Sequence, residues 1–99
     1  MKIELERNYN GSPTCARLDI GEVAIVFSYS TPIAVRGPRT SYKWIVTENR
    51  WNQTTARHMT ALGEAGKKEN RYIRGYFEAA LQAELDSLNT PLEAIEAIV

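Results

Sequence analysis

Residues 48–59, ENRWNQTTARHM, gather a Trp, two Arg, two Thr and the only His of a 99-residue chain. An imidazole among hydroxyls is raw material for general-base or nucleophilic catalysis, provided a second reactive group completes the constellation. Cys15, the only cysteine, could pair with His58 as a thiolate dyad. It follows Pro13-Thr14 at the start of a strand-like run, however, and not a helix N-terminus or cationic pocket, where thiols lose their proton. A zinc site wants four ligands, or three and an open position, and one His plus one Cys do not supply them. The chain has no Gly-rich phosphate loop and no nucleophile elbow. No catalytic, cofactor-binding or metal-binding residue is therefore assigned, no cofactor is expected, and the chain is expected not to be an enzyme.

Binding is the remaining use for these side chains. Trp and Arg dominate interface hot spots, so Arg50, Trp51, Arg57 and His58 are candidate partner-binding residues. The architectural alternative buries Trp51 as a plug between sheet and helix, since Trp is usually well buried. It uses Thr54 and Thr55 as helix caps and bonds the His58 imidazole to a strand-end carbonyl. Lys67, Lys68, Arg71 and Arg74 complete the candidate set. On a helix beginning near Lys67, Arg71 and Arg74 share a face with the lysines one turn earlier, and Glu78 stands four residues after Arg74 as an alternative ion-pair partner.

The elements that must carry these residues change period half-way along the chain. KIELERNY alternates Ile3 and Leu5 with charged residues, the period of a half-buried strand. Asn10-Gly11 with Ser12-Pro13 is turn chemistry. ARLDI and VAIVFSY flank a Gly21-Glu22 hairpin, and the second, rich in β-branched and aromatic residues, reads as a central strand. PIAVR follows Ser30-Thr31, and SYKWIVTE after Gly37-Pro38-Arg39-Thr40 is the last strand, with Tyr42, Trp44 and Val46 on one face. Asn52, Thr54 and Thr55 are all good N-caps for a helix running to Gly63. From about Lys67 to Leu88, Ile73, Phe77, Ala80, Leu81, Leu85 and Leu88 form one helical stripe. Thr90-Pro91-Leu92-Glu93 has a capping-box pattern with Pro at the first helical position, opening a short helix with Leu92, Ile95 and Ile98. Strands first and helices afterwards predict an α+β fold. The expectation is one domain over 1–99, with four to five antiparallel strands over about 2–48 and two to three helices over about 54–98. The two longer helices should cover one face, Leu18, Ile20, Ile25, Phe27 and Trp44 meeting Ile73, Phe77, Leu81 and Leu85.

Charge is segregated along this plan although it sums to zero. Residues 36–74 carry nine basic side chains against three acidic ones, whereas residues 75–99 carry only Glu78, Glu84, Asp86, Glu93 and Glu96. Such asymmetry can steer a charged partner, or the two regions can lie against each other. The acidic end reads as a solvated helix face, with mimicry of a phosphate string as its functional alternative. No apolar run approaches the ~18 residues that span a bilayer, the N-terminus lacks a signal peptide's apolar block, and one cysteine suits a reducing compartment. A cytoplasmic protein without membrane contact is expected.

The run FSYSTPIAVR (27–36), followed by VTENRWNQTTARHM (46–59), resembles small proteins of unknown function encoded by bacteriophages and prophages. The resemblance spans about residues 18–60 and matches Ser28, Tyr29, Thr31, Pro32, Trp51, Thr54, Thr55 and His58. It implies a phage origin and attaches no role to these residues. The leading expectation is a non-enzymatic protein that occupies a surface on a host protein or complex in the cytoplasm of an infected or lysogenic bacterium. Inhibition of a host defence system, in the manner of an anti-CRISPR protein, is the role it suggests. The alternative is nucleic-acid binding through Arg50, Arg57, Lys67, Lys68, Arg71 and Arg74. Homodimerisation through exposed apolar residues is left open.

Overall fold

The computed structural model describes residues 2–99. Five strands, β1 (Ile3–Arg7), β2 (Cys15–Ile20), β3 (Val23–Ser28), β4 (Thr31–Arg36) and β5 (Ile45–Val46), pair antiparallel in sequence order. Three helices follow, α1 (Gln53–Thr60), α2 (Arg74–Ser87) and α3 (Leu92–Ile98). The α+β architecture is the one the change of period implies. The register stacks Leu5 on Leu18, Leu18 on Ile25 and Ile25 on Val35, so one row of apolar side chains crosses four strands.

Two two-residue hairpins and a register shift at Val26/Phe27 set that register, the shift bringing Ile25 opposite Val35. Gly21-Glu22 links Ile20 to Val23, with Gly21 at φ 58°. The next turn is Tyr29-Ser30, one residue earlier than the composition suggests, and both residues are left-handed at φ 50° and 67°. Positive φ at both central positions matches the twist of the flanking strands, but in a non-glycine residue it costs about 1–2 kcal/mol.

All six residues of β3 are buried, and for a strand this requires cover on both faces. Here the structure corrects the expectation of helices on one side only. Leu18, Ile20, Val23, Ile25, Phe27, Val35 and Ile45 face Phe77, Leu81 and Leu85 of α2 and Ile95 of α3. Cys15, Val26, Ile33, Ala34 and Val46 point the other way, onto Met59 of α1 and the flanking Tyr9, Trp44, Leu62 and Ala65. Trp44 thus packs on the opposite side from α2, and Ile73, expected in the core, is 70% exposed.

Three boundaries differ for local reasons. Ser41 and Tyr42 adopt positive φ after the 3-10 turn Pro38–Thr40, so the last strand contracts to two residues. The segment before α2 folds as two 3-10 turns, Gly63–Gly66 and Lys68–Asn70, then extends through Tyr72. Tyr72 lies parallel to Thr47, donating to the Val46 carbonyl at 2.8 Å while its own carbonyl accepts from Glu48 N at 2.7 Å. This covers the open edge of β5, satisfying backbone groups that would otherwise be unpaired. Before α3, the Thr90 hydroxyl turns back to the Leu88 carbonyl and Pro91 is the N-cap residue, so no capping box forms. No helix among the described residues is long and apolar enough to cross a membrane.

Candidate functional site

Helix α1 begins where the Asn52 side chain accepts from the Thr55 amide at 2.9 Å, the cap that Asn most often supplies. The helical spacing then puts Thr55 and His58 on one inward face against the end of β3. His58 Nδ1 lies 2.7 Å from Ser28 Oγ, and Ser28 Oγ lies 2.9 Å from Thr55 Oγ1. On the other side of the ring, Nε2 lies 2.7 Å from Ser12 Oγ and 3.3 Å from Thr14 Oγ1. The imidazole therefore bonds hydroxyls, not the expected strand-end carbonyl, and it ties the 12–14 loop, β3 and α1 together.

Burial lowers the affinity of His58 for a proton, because a charged ring loses solvation inside the protein. The order Ser12–His58–Ser28 matches a nucleophile–base–orienter chain in connectivity. Its third member is a neutral hydroxyl, however, and no ion pair among the described residues reaches the ring. An imidazolium formed here has no carboxylate to stabilise it, unlike the one in a Ser-His-Asp triad. Cys15 is buried and its thiol is pushed up to about 11 by desolvation, which keeps it protonated. No group of three or more His, Cys, Asp or Glu among the described residues is placed to hold a metal ion.

Arg74 organises a second junction. Its guanidinium lies 5.3 Å from the Trp51 ring and 4.9 Å from Phe77, and it donates to the Pro32 carbonyl at 2.9 Å. Glu78 approaches it at 3.6 Å, the ion pair that the spacing allows. Glu48 accepts from the Arg74 amide at 2.7 Å and from Arg50 at 3.0 Å. The carboxylate thereby caps α2 from outside the helix, and the amide hydrogen bond, then Arg50, hold its pKa below the usual range.

The eight candidate partner-binding residues are thus spread over different surroundings. Trp51 is 43% exposed and stands over Arg74 beside Arg50, so it is half plug and half surface. His58 is buried and Arg57 is exposed, lining a cleft of about 320 Å³ with Ser12 and Thr54. Lys67 pairs with Glu64 at 2.8 Å, and Arg71 Nε donates to the Gly66 carbonyl at 2.9 Å. Because residues 67–73 precede α2, the lysines, Arg71 and Arg74 do not share a helix face. Lys68 and Arg71 instead line a separate cleft with Glu48 and Asn49.

The sequence reading missed two features. Tyr42, Trp44, Tyr72 and Tyr76, with Arg39 and Lys43, line a groove of about 760 Å³. Glu84, expected on a solvated acidic face, is fully buried, accepts from the Arg39 amide at 3.2 Å and leaves Oε2 unpaired. Its neighbour Leu85 and the preceding Leu81 were the available signal, since position 84 borders their inward stripe. Gly37 makes room for it, as a Cβ there would overlap the carboxylate.

The model of a family of unknown function, DUF8033, matches residues 2–77. The chain belongs to this family. No curated protein and no solved structure matches it. The DUF8033 match takes in the whole sheet, α1, the His58 network, the Trp51–Arg74 junction and every aromatic residue of the groove, and it ends at Phe77. Glu84, the rest of α2 and α3 lie beyond it.

Proposed function

We propose that this DUF8033 protein is a phage-type, non-enzymatic binding protein that occupies a surface on a host protein or complex, an effector of host defence, in the bacterial cytoplasm. The observation that carries the reading is the set of exposed large side chains around the place where the segment leading into α2 pairs with the end of β5. Trp51, Tyr72, Ile73 and Tyr76, at 43, 38, 70 and 53% exposure, are half of the large hydrophobic residues left in solvent among the described residues. They are held together locally: Trp51 stands over Arg74, Ile73 precedes it, and Glu48 bonds both Arg50 and the strand-like Tyr72. Clustered exposed apolar side chains with Arg nearby have the composition of an interface core and its polar rim. The resemblance of residues 27–36 and 46–59 to phage proteins supports the choice of host partners.

The test is capture from host lysate by tagged wild type alongside Trp51→Ala and Ile73→Glu variants, followed by reconstitution with the purified host protein. A hot-spot anchor should cost at least about 2 kcal/mol, roughly thirtyfold in Kd, when removed. A partner that the two variants bind as tightly as wild type, or no partner that survives purification, removes this surface as the site. In cells, expression should also lift restriction of a defence-sensitive phage, and Ile73→Glu should abolish that effect.

A further inference from the structure

The groove between the Pro38–Thr40 turn and the segment before α2 has a different chemistry from the Trp51–Ile73 patch it borders. Tyr72 and Tyr76 stack at 4.6 Å and 12°, so one tyrosine holds the other flat and fixes an aromatic platform. Tyr42, 53% exposed, lines the same groove. Arg39 and Lys43 line it too, with no ion pair among the described residues, whereas the lining Glu64 is paired with Lys67 at 2.8 Å. The groove therefore combines the Arg39 and Lys43 cations with several π faces, with Glu22 at the Tyr42 hydroxyl and Glu84 at the Arg39 amide as further carboxylates close to it.

We infer that this groove binds a short single-stranded nucleic acid, with bases on the Tyr72–Tyr76 platform and Tyr42 and phosphates along Arg39 and Lys43. Stacking platforms beside a positive track are how single strands are held without sequence readout, because every base offers a π face. A duplex hides those faces, and an acidic peptide would use the cations and leave the platform idle. The chain's zero net charge opposes this less than composition suggests, since Glu78 is paired with Arg74 and Glu64 with Lys67. The inference goes beyond the protein-docking reading: it shares Tyr72 and Tyr76 with that surface and adds Arg39, Tyr42 and Lys43, which that reading does not use.

Anisotropy titrations of labelled dT12, the corresponding duplex and a Glu-rich peptide, at 50 and 200 mM salt, test it with the full chain. Single strand should bind in preference to duplex and peptide, weakening about sevenfold over that salt range if two phosphates are neutralised. Arg39→Glu/Lys43→Glu should abolish binding, Tyr76→Ala should weaken it about fivefold or more, and Arg7→Glu on β1 should bind as wild type. Trp44 emission, isolated in a Trp51→Phe background, should change on saturation. Circular dichroism and Tm establish that each variant is folded. Binding that ignores the charge reversal, duplex or peptide binding as tight as the single strand, or no oligonucleotide binding by folded wild type at 50 mM salt overturns the inference. Loss of host-protein capture in Ile73→Glu with oligonucleotide binding intact separates the two surfaces.

Discussion

The His58 network and the tyrosine groove are opposites in how they use polar and aromatic side chains. At the network, hydroxyls and an imidazole that look reactive in one dimension are turned inward, each bonded to the next. At the groove, tyrosines that composition would assign to a core stand in solvent beside unpaired cations. A buried polar group without a partner costs about 1–3 kcal/mol, more than the ~1 kcal/mol a satisfied bond contributes, so a dense polar motif at a sheet–helix junction is first of all a cross-link. Exposed aromatic side chains carry no such obligation, and their persistence in solvent is the better pointer to binding.

The sharpest way to break this contrast is to cut the cross-link. His58→Ala should destabilise the fold by about 2–3 kcal/mol, from the cavity it leaves and the lost bonds to Ser12 and Ser28, of which Ser28 keeps only Thr55. Denaturant unfolding checks this, and a loss below about 0.5 kcal/mol would make the network decorative. Arg74→Ala should follow at about 2 kcal/mol, from the lost Pro32 carbonyl bond and the contacts with Trp51 and Phe77. Chemical denaturation of Arg74→Ala beside Glu78→Ala shows whether the carbonyl bond or the ion pair dominates, and the exposed ion pair should contribute less.

Acid gives a gentler probe of the same region. His58 has a folded-state pKa below its unfolded value of about 6.5. Its contribution is therefore complete above pH ~6.5 and is lost as pH falls through the folded-state pKa, because the unfolded chain takes up the proton first. Tm should hold steady from pH 8 to 6.5 and decline below it, and His58→Gln should remove the first part of that decline. A wild-type Tm that rises on acidification would reverse the assignment.

The groove should respond in the opposite way. Tyr76→Ala should change stability by less than about 0.5 kcal/mol, as exposed substitutions do, while weakening ligand binding. A larger loss of stability would mean the tyrosine stack is structural after all. Smallest of all, Tyr29→Asn/Ser30→Gly should raise stability by a few tenths to about 1 kcal/mol by suiting a turn that needs positive φ twice. Its effect on thermal unfolding separates turn strain from the neighbouring His58 network.

Much of this molecule was determined along the chain. Alternation in IELER, the Gly21-Glu22 hairpin, the unbroken apolar run of β3, the Asn52 cap and the Phe77–Leu81–Leu85 stripe are local patterns, and local periodicity and turn chemistry suffice to specify them. What only the tertiary structure decided is which face each pattern meets. An all-buried β3 does not say which helix covers which side. The stripe does not say that the helix begins at Arg74, leaving Ile73 outside and separating Arg71 from Arg74. Nor can spacing bring Ser12 and Ser28 to His58, join Tyr42 to Tyr76 across a groove, or sink Glu84 beneath Gly37. Those pairings lie tens of residues apart and arise only when the sheet and helices dock, because burial and hydrogen-bond satisfaction are settled between elements and not within them.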